Sequence, residues 1–155
     1  MLARVLAGFG AMLAAGSARA EAQVQVNASQ ELAFGTLVAG VPKAIARTDG
    51  SRAGKFTIQG PVGALVTLQL VLPAGLNGPG GATLPLTFGS TDAGYAPNND
   101  LGTQDAFDPR IPRTATLGNN GRGVVSLGGT ATAAASGQAG GSYTATLTLI
   151  VALLL

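Results

Sequence analysis

The chain contains no cysteine, no histidine and no tryptophan. Without cysteine it cannot form disulfides, so its stability has to come from packing and backbone pairing. Without histidine and cysteine, Ser–His and Cys–His nucleophile pairs are excluded, and so are the usual imidazole and thiolate metal ligands. These absences remove most hydrolase mechanisms, and they predict a protein that is not an enzyme and holds no cofactor.

Charge is also scarce, since charged residues are only 10% of the chain, against about a quarter in a typical soluble domain. The nine basic residues are scattered along the sequence. There is therefore no basic patch to predict binding to nucleic acid or anionic lipid. A weakly charged surface is typical of a protein that packs against copies of itself.

The first twenty residues have the pattern of a cleavable secretion signal. Arg4 forms a short basic region, an apolar stretch follows from Val5 to Ala15, and Ala18 and Ala20 match an A-x-A cleavage site. We therefore predict residues 1–20 as a signal and cleavage before Glu21, with a short membrane anchor as the alternative. No later segment reaches the roughly 18 apolar residues of a transmembrane helix, so we expect an exported protein with no transmembrane segment after cleavage.

Most of the remaining 135 residues alternate between apolar and polar positions, the period of a β-strand. Helical periodicity is absent. Glycine, proline and asparagine separate the alternating segments. The alternating segments, each predicted to contain a strand, are residues 22–28, 32–34, 55–59, 66–72, 84–88, 114–117, 124–134 and 143–153.

About seven short strands without crossover helices predict one all-β domain, residues 31–155, with an immunoglobulin-like antiparallel sandwich fold. A closed barrel is the alternative. Pro85 predicts an edge strand, because proline cannot donate to a ladder. Gly89 to Asn120 lacks a sustained apolar pattern and is predicted as a long surface loop, and Gly128-Gly129 as a kink or bulge.

The predicted loop holds the main candidates for chemistry. Paired carboxylates can hydrolyse glycosides, and oxygen ligands can bind calcium. Neither spacing nor aromatic surroundings fit these sites, so a solvated loop is the preferred interpretation. A ligand surface from Gly89 to Arg113 stays open as an alternative. The oxygen-bearing residues are Asp92, Asn98, Asn99, Asp100, Asp105 and Asp108.

A second glycine-rich segment contains Gly118, Gly121 and Gly123. Its spacing fits neither the P-loop nor the dinucleotide fingerprint, and no helix follows it. We interpret these glycines as turn residues.

Residues 21–30, here called the arm, carry Ala22, Val24, Val26 and Ala28 at alternate positions. An alternating N-terminal segment can add a strand to the sheet of another molecule. Ser29-Gln30 lacks the glycine or asparagine of a tight hairpin, so folding back on the next strand is disfavoured. The alternative is that the arm is the ordinary first strand of a complete domain.

Five segments in order resemble a known family. They are Leu32–Thr36 (LAFGT), Lys55–Gly60 (KFTIQG), Gly63–Thr67 (GALVT), Val125–Thr130 (VSLGGT) and Gly137–Thr148 (GQAGGSYTATLT). Together they resemble a family of small secreted bacterial proteins of pilin-like fold, catalogued as a domain of unknown function and similar to spore-coat-U and archaic chaperone–usher pilins.

The resemblance implies a structural subunit of a surface fibre or coat, exported through the periplasm to the cell surface. It implies a sandwich that lacks its final strand and is completed by the N-terminal strand of the next subunit. The partners would be further copies of the chain, a periplasmic chaperone and an outer-membrane usher. A monomeric secreted binding module is the alternative. The expected acceptor groove is formed by the last strand, with Tyr143, Ala145, Leu147, Leu149, Val151 and Leu153 on one face.

Overall fold

The computed structural model describes the backbone of residues 2–7 and all of residues 23–154. Within these ranges the chain is built of strands and two three-residue 3₁₀ turns, Pro79–Gly81 and Leu101–Thr103. None of the described residues belongs to a helix long and apolar enough to cross a membrane. The strands are β1 Leu2–Ala7, β2 Gln25–Gln30, β3 Ala33–Thr36, β4 Pro42–Ile45, β5 Gly54–Gln59, β6 Leu65–Val71, β7 Gly75–Asn77, β8 Thr83–Thr87, β9 Ala93–Pro97, β10 Asp105–Phe107, β11 Arg113–Thr116, β12 Arg122–Leu127, β13 Gly129–Thr132 and β14 Ser142–Leu153.

These strands form two sheets. In the first, hydrogen-bonded pairs connect β11 with β6, β6 with β14, β14 with β7, β7 with β8, β8 with β13 and β13 with β4, and β1 joins β14 to β3. The second has the order β10-β9-β12-β5-β2. Among the described pairs only β1 and β14 run parallel. The predicted all-β sandwich is confirmed. The strands are shorter and more numerous than the seven expected, because turns and a change of sheet interrupt the alternating segments.

The core lies between the two sheets and follows the predicted alternation. In β5, Phe56 and Ile58 are buried while Lys55 and Thr57 are only partly covered. Complete burial of one such side chain contributes about 1.5 to 3 kcal/mol. The largest fully buried side chains come from both sheets: Leu32, Phe34, Phe56, Ile58, Leu68, Leu76, Leu84, Leu117, Leu127, Tyr143, Leu147 and Leu149.

Pro85 does not mark an edge strand, because β8 pairs with both β7 and β13. The Leu86 N–H donates to the Ala74 oxygen at 3.2 Å on the β7 side. Consecutive residues of a strand direct their N–H groups to opposite edges, so the Pro85 nitrogen lies on the β13 side. There the ladder includes only Leu86 and Thr87. Proline is tolerated because no partner strand needs its missing donor.

The segment from Gly89 to Asn120 is not the long surface loop expected from the sequence. It contains β9 and β10, and β9 lies inside the second sheet between β12 and β10. In β9 the residues Ala93, Gly94, Tyr95 and Ala96 are all buried, so both faces are covered and no alternation is visible. The short strand expected around Thr114 to Leu117 is confirmed as β11, within one residue.

One predicted turn and one predicted kink are confirmed. Gly121 has a φ of 72° and donates to the Gly118 oxygen at 2.9 Å in the turn between β11 and β12. At Gly128, the chain leaves β12 in the second sheet and enters β13 in the first. The Gly128-Gly129 pair is therefore the corner at which the chain changes sheet.

Candidate functional site: a one-strand groove beside the last strand

The last strand, β14, has two edges with different partners. On one edge, Thr148 to Leu153 pair with Val71 to Val66 of β6, and Thr144 pairs with Asn77 of β7. The two registers follow one another: from Val71 to Asn77 the chain advances six residues while its partners go from Thr148 to Thr144, which is one antiparallel path with a bulge. Both strands therefore lie along the same edge.

The opposite edge of β14 pairs with the N-terminal strand β1. Leu2 to Ala7 run parallel to Ser142 to Leu147, residue by residue. Because β7 and β1 both pair at Thr144, they must occupy different edges of β14. Among residues 23–154 no strand pairs with this second edge.

The other side of β1 pairs with β3, in an antiparallel ladder that shifts register between Ala3 and Arg4. No other described strand pairs with β3. β3 has further contacts within the described chain: Leu32 and Phe34 are buried, the Ala33 N–H donates to the Arg52 oxygen at 2.9 Å, and Lys43 Nζ donates to the Thr36 oxygen at 3.1 Å. Its main-chain pairing to β14, in contrast, runs only through the strand between them.

We call the space between residues 142–147 of β14 and residues 33–36 of β3 the groove. Two strand spacings separate its walls, about 10 Å, so the walls are too far apart to pair directly. The groove is one strand wide. A strand placed in it finds main-chain partners on both edges, as β1 does.

The expected acceptor face of β14 is present. Tyr143, Ala145, Leu147, Leu149 and Val151 are all buried on the core side, and Leu153 packs partly buried against the same core. Thr144 and Thr146, in contrast, are exposed. The structure brings these six residues together on one face, and their role as an acceptor stays a prediction.

The arm does not lie in this groove and forms the edge of the second sheet. Residues 25–30 form β2, which is antiparallel to β5 with an irregularity between Ala28 and Gln30. Val26 is buried, while Val24 and Ala28 are partly buried against the core. Ala22 lies outside the described residues. In this structure the arm is the first strand of its own sandwich, which is the alternative stated for it, and it does not pair with its immediate neighbour β3.

The aspartates of the predicted loop serve local turns. Asp92 accepts a hydrogen bond from Gly89 N at 2.7 Å, and Asp100 accepts one from Gly102 N at 3.0 Å at the start of the second 3₁₀ turn. Asp108 pairs with Arg110, and Asp105 lies 3.7 Å from Arg113. Among the described residues, no three acidic side chains converge on a position that could hold a metal ion.

The segment before β10 covers the outer face of the second sheet. Ser126 of β12 is fully buried and donates to the Gln104 oxygen at 2.6 Å. A β-carbon at Gly94 would meet the same Gln104 oxygen and lie 2.9 Å from the Ser126 hydroxyl oxygen. These contacts fix the segment to its own sheet, and the candidate ligand surface from Gly89 to Arg113 is partly used for packing.

Asp108 gives a pH prediction. Its side-chain hydrogen bonds to Arg110, 2.7 and 2.8 Å long, and the Arg110 backbone N–H lower its pKa to about 2. Since the pKa is lower in the folded chain than in the unfolded one, this pair stabilises the fold above about pH 4. That contribution is lost as the pH falls towards 2.

We expect the Asp108 carboxyl carbon to titrate in NMR spectra with a midpoint near 2. In Arg110→Met the midpoint should rise towards the ordinary value of 3.8. Asp49 is the internal reference, because its lowered pKa comes from hydrogen bonds of Ser51 and Arg52 and not from Arg110. An unchanged Asp108 midpoint in Arg110→Met would contradict the assignment.

Sequence reasoning identified one wall of the groove and missed the other wall and its occupant. The first twenty residues have the pattern of an export signal, with a short membrane anchor as the alternative, and neither interpretation predicts a strand. A four-residue strand such as β3 has too few positions to show which edge is free. Comparison of the chain with protein-family models and with curated proteins finds no match in either.

Proposed function

We propose that this protein is an exported structural subunit that assembles with copies of itself into a surface fibre or coat by β-strand complementation. One observation carries the proposal. Between β14 and β3 the first sheet is completed only by Leu2–Ala7, and these residues belong to the segment that the sequence predicts to be removed on export. Removal leaves an open, one-strand groove in the exported chain.

An open groove of this kind favours a strand from another molecule. Removal of β1 frees the main-chain groups with which residues 142–147 and 33–36 pair with it, and two such walls are a template for strand addition. The core-side residues Tyr143, Ala145 and Leu147 line the same stretch of β14. A second copy can satisfy the main chain and cover apolar surface in one step.

The arm of a second copy is the strand we propose for the groove. In its own sandwich the arm holds an edge position and pairs with one strand, and among its described residues 23–30 Val26 is the one buried side chain. In the groove it would pair on two edges. Val26 is already buried and Val24 partly buried in the arm's own sandwich, so their transfer to the groove gives little net burial. Main-chain pairing on the second edge therefore has to supply most of the gain.

Removal of the arm tests this function. Material assembled by exporting cells is run on SDS gels without boiling, and a chain lacking residues 21–29 is compared with the parent. We expect the parent to give an SDS-resistant ladder and the shortened chain to run as a monomer. The same ladder from both chains would contradict the proposal.

A matched pair of substitutions compares the two faces of the arm. Val24→Asp with Val26→Asp places two charges on the apolar face of the arm, and Gln23→Asp with Gln25→Asp places them on the exposed face. The first pair should abolish the ladder and the second should keep it. Circular dichroism of each purified chain checks that the sandwich has formed.

A monomeric secreted binding module is the rival function, and the pairing of β2 with β5 within one chain favours it. Analytical ultracentrifugation of the chain beginning at Glu21 distinguishes the two. A compact monomer at all concentrations, with slow amide exchange in both the arm and residues 142–147, would favour the binding module.

A further inference from the structure

We infer that Leu2–Ala7 is a temporary closing strand, which fills the chain's own groove until the segment that contains it is cut away. The inference rests on the proposed function and adds regulation to it. The uncut chain is closed and monomeric, and the cut chain is open to a strand from a second copy.

The pairing of β1 supports this role. All six residues of β1 pair with β14, and Leu2 to Arg4 also pair with β3. β14 and β3 do not pair with each other. β1 therefore restores the continuity of the first sheet. While β1 is in place, the edge of residues 142–147 that faces the groove is fully paired. At Thr144 the opposite edge is paired as well, with β7.

The sequence of β1 matches that of the arm in the pattern that a groove strand needs. Ala3, Val5 and Ala7 lie in register with the core-side residues Tyr143, Ala145 and Leu147. The arm repeats small residues and valine at alternate positions, in Ala22, Val24, Val26 and Ala28. One groove can therefore accept either segment.

Covalent attachment decides which strand occupies the groove. A strand held in the same chain has an effective concentration on the order of 1 mM, far above that of a competing chain in dilute solution. Cutting the link makes β1 a separate short peptide, which dissociates and is diluted. The arm of a second copy, which remains attached to a folded domain, can then replace it.

The test uses the full chain made without export, with a specific protease sequence in place of residues 14–20. Hydrogen exchange of residues 142–147 reports whether the groove is closed, and sedimentation reports assembly. Before cutting we expect slow exchange and a monomer. After cutting we expect these residues either to exchange at least ~10-fold faster or to stay protected within sedimenting assemblies.

Two additions sharpen the test. A synthetic peptide of residues 1–8, supplied at millimolar concentration to the cut chain, should restore slow exchange and prevent assembly. In the uncut chain, Ala3→Pro removes a main-chain donor at a residue that pairs with both β14 and β3, so it should reproduce the effect of cutting. Gly16→Pro, outside β1, is the control and should behave as the parent.

The outcomes distinguish the two ideas. Equal exchange of residues 142–147 before and after cutting, with both forms monomeric, overturns the closing role. An uncut chain that assembles as readily as the cut chain also overturns it. Faster exchange after cutting in a chain that stays monomeric at every concentration supports the closing role and overturns the proposed assembly.

Discussion

Gly128→Ala is expected to destabilise the folded state by about 3 kcal/mol or more, the upper range for overpacking at a site that cannot relax. A β-carbon at this position would meet the carbonyl oxygen of Ile45 and lie 2.7 Å from the nitrogen of Arg47. Both atoms belong to the main chain. Relief therefore requires movement of a whole segment and not the rotation of a side chain.

The position of Gly128 makes such movement costly. Its N–H donates to the Asp92 oxygen at 2.7 Å, and the next residue begins β13 in the other sheet. Moving the corner away from Ile45 would disturb the ladder in which Gly129 pairs with Ile45. A shift that relieves the clash with Ile45 would therefore also weaken the pairing of β13 with β4.

Gly140→Ala is the matched control, because no atom outside its chain neighbours lies within 4 Å of a β-carbon there and its φ is not positive. This substitution should leave the free energy of unfolding unchanged or raise it by up to about 1 kcal/mol. Urea denaturation of parent and both variants measures the effect. Equal midpoints for Gly128→Ala and Gly140→Ala would show that the corner is not constrained.

The sequence predicts well those strands that have one polar face. In β5, and in the first half of β14, threonine or lysine alternates with buried apolar residues, and the pattern alone locates strand and core face. The same reasoning fails for β9, because both of its faces are buried. Ala93 to Ala96 are small residues buried on both sides, and nothing in their order distinguishes them from a loop.

The partners of a strand are harder to predict than the strand itself. Alternation shows which face of β14 is buried, yet it carries no information about which segment lies along each edge. The pairing of β2 with β5 joins residues about 30 positions apart in the sequence, and that of β1 with β14 joins opposite ends of the chain. Main-chain pairing is insensitive to side-chain identity, so these choices depend on the assembled fold.

Tyr143→Ala is the second substitution with a large expected effect, a loss of about 3 to 5 kcal/mol. Tyr143 is the largest of the fully buried side chains and begins the groove wall of β14. Its ring lies against Gly78, where a β-carbon would come within 2.6 Å of ring atoms. Gly78 follows β7 directly, so the ring fixes the end of β14 to the turn between β7 and β8.

The hydroxyl of Tyr143 contributes separately from its ring. It donates to the Ala139 oxygen at 2.7 Å and accepts from the Gln138 amide nitrogen at 2.7 Å. Gln138 in turn donates to the Thr83 oxygen at 3.2 Å. This network holds the connection between β13 and β14 against the start of β8.

Tyr143→Phe should therefore cost about 1 to 2 kcal/mol, because the Ala139 oxygen and the Gln138 amide lose a partner while the ring remains. Gly78→Ala should destabilise the fold by about 1 to 3 kcal/mol by displacing the ring. Combined with Tyr143→Ala, Gly78→Ala should cost much less, since the atoms it collides with are gone. A double-mutant cycle from urea denaturation measures this coupling, and additive effects of the two substitutions would contradict the contact between ring and glycine.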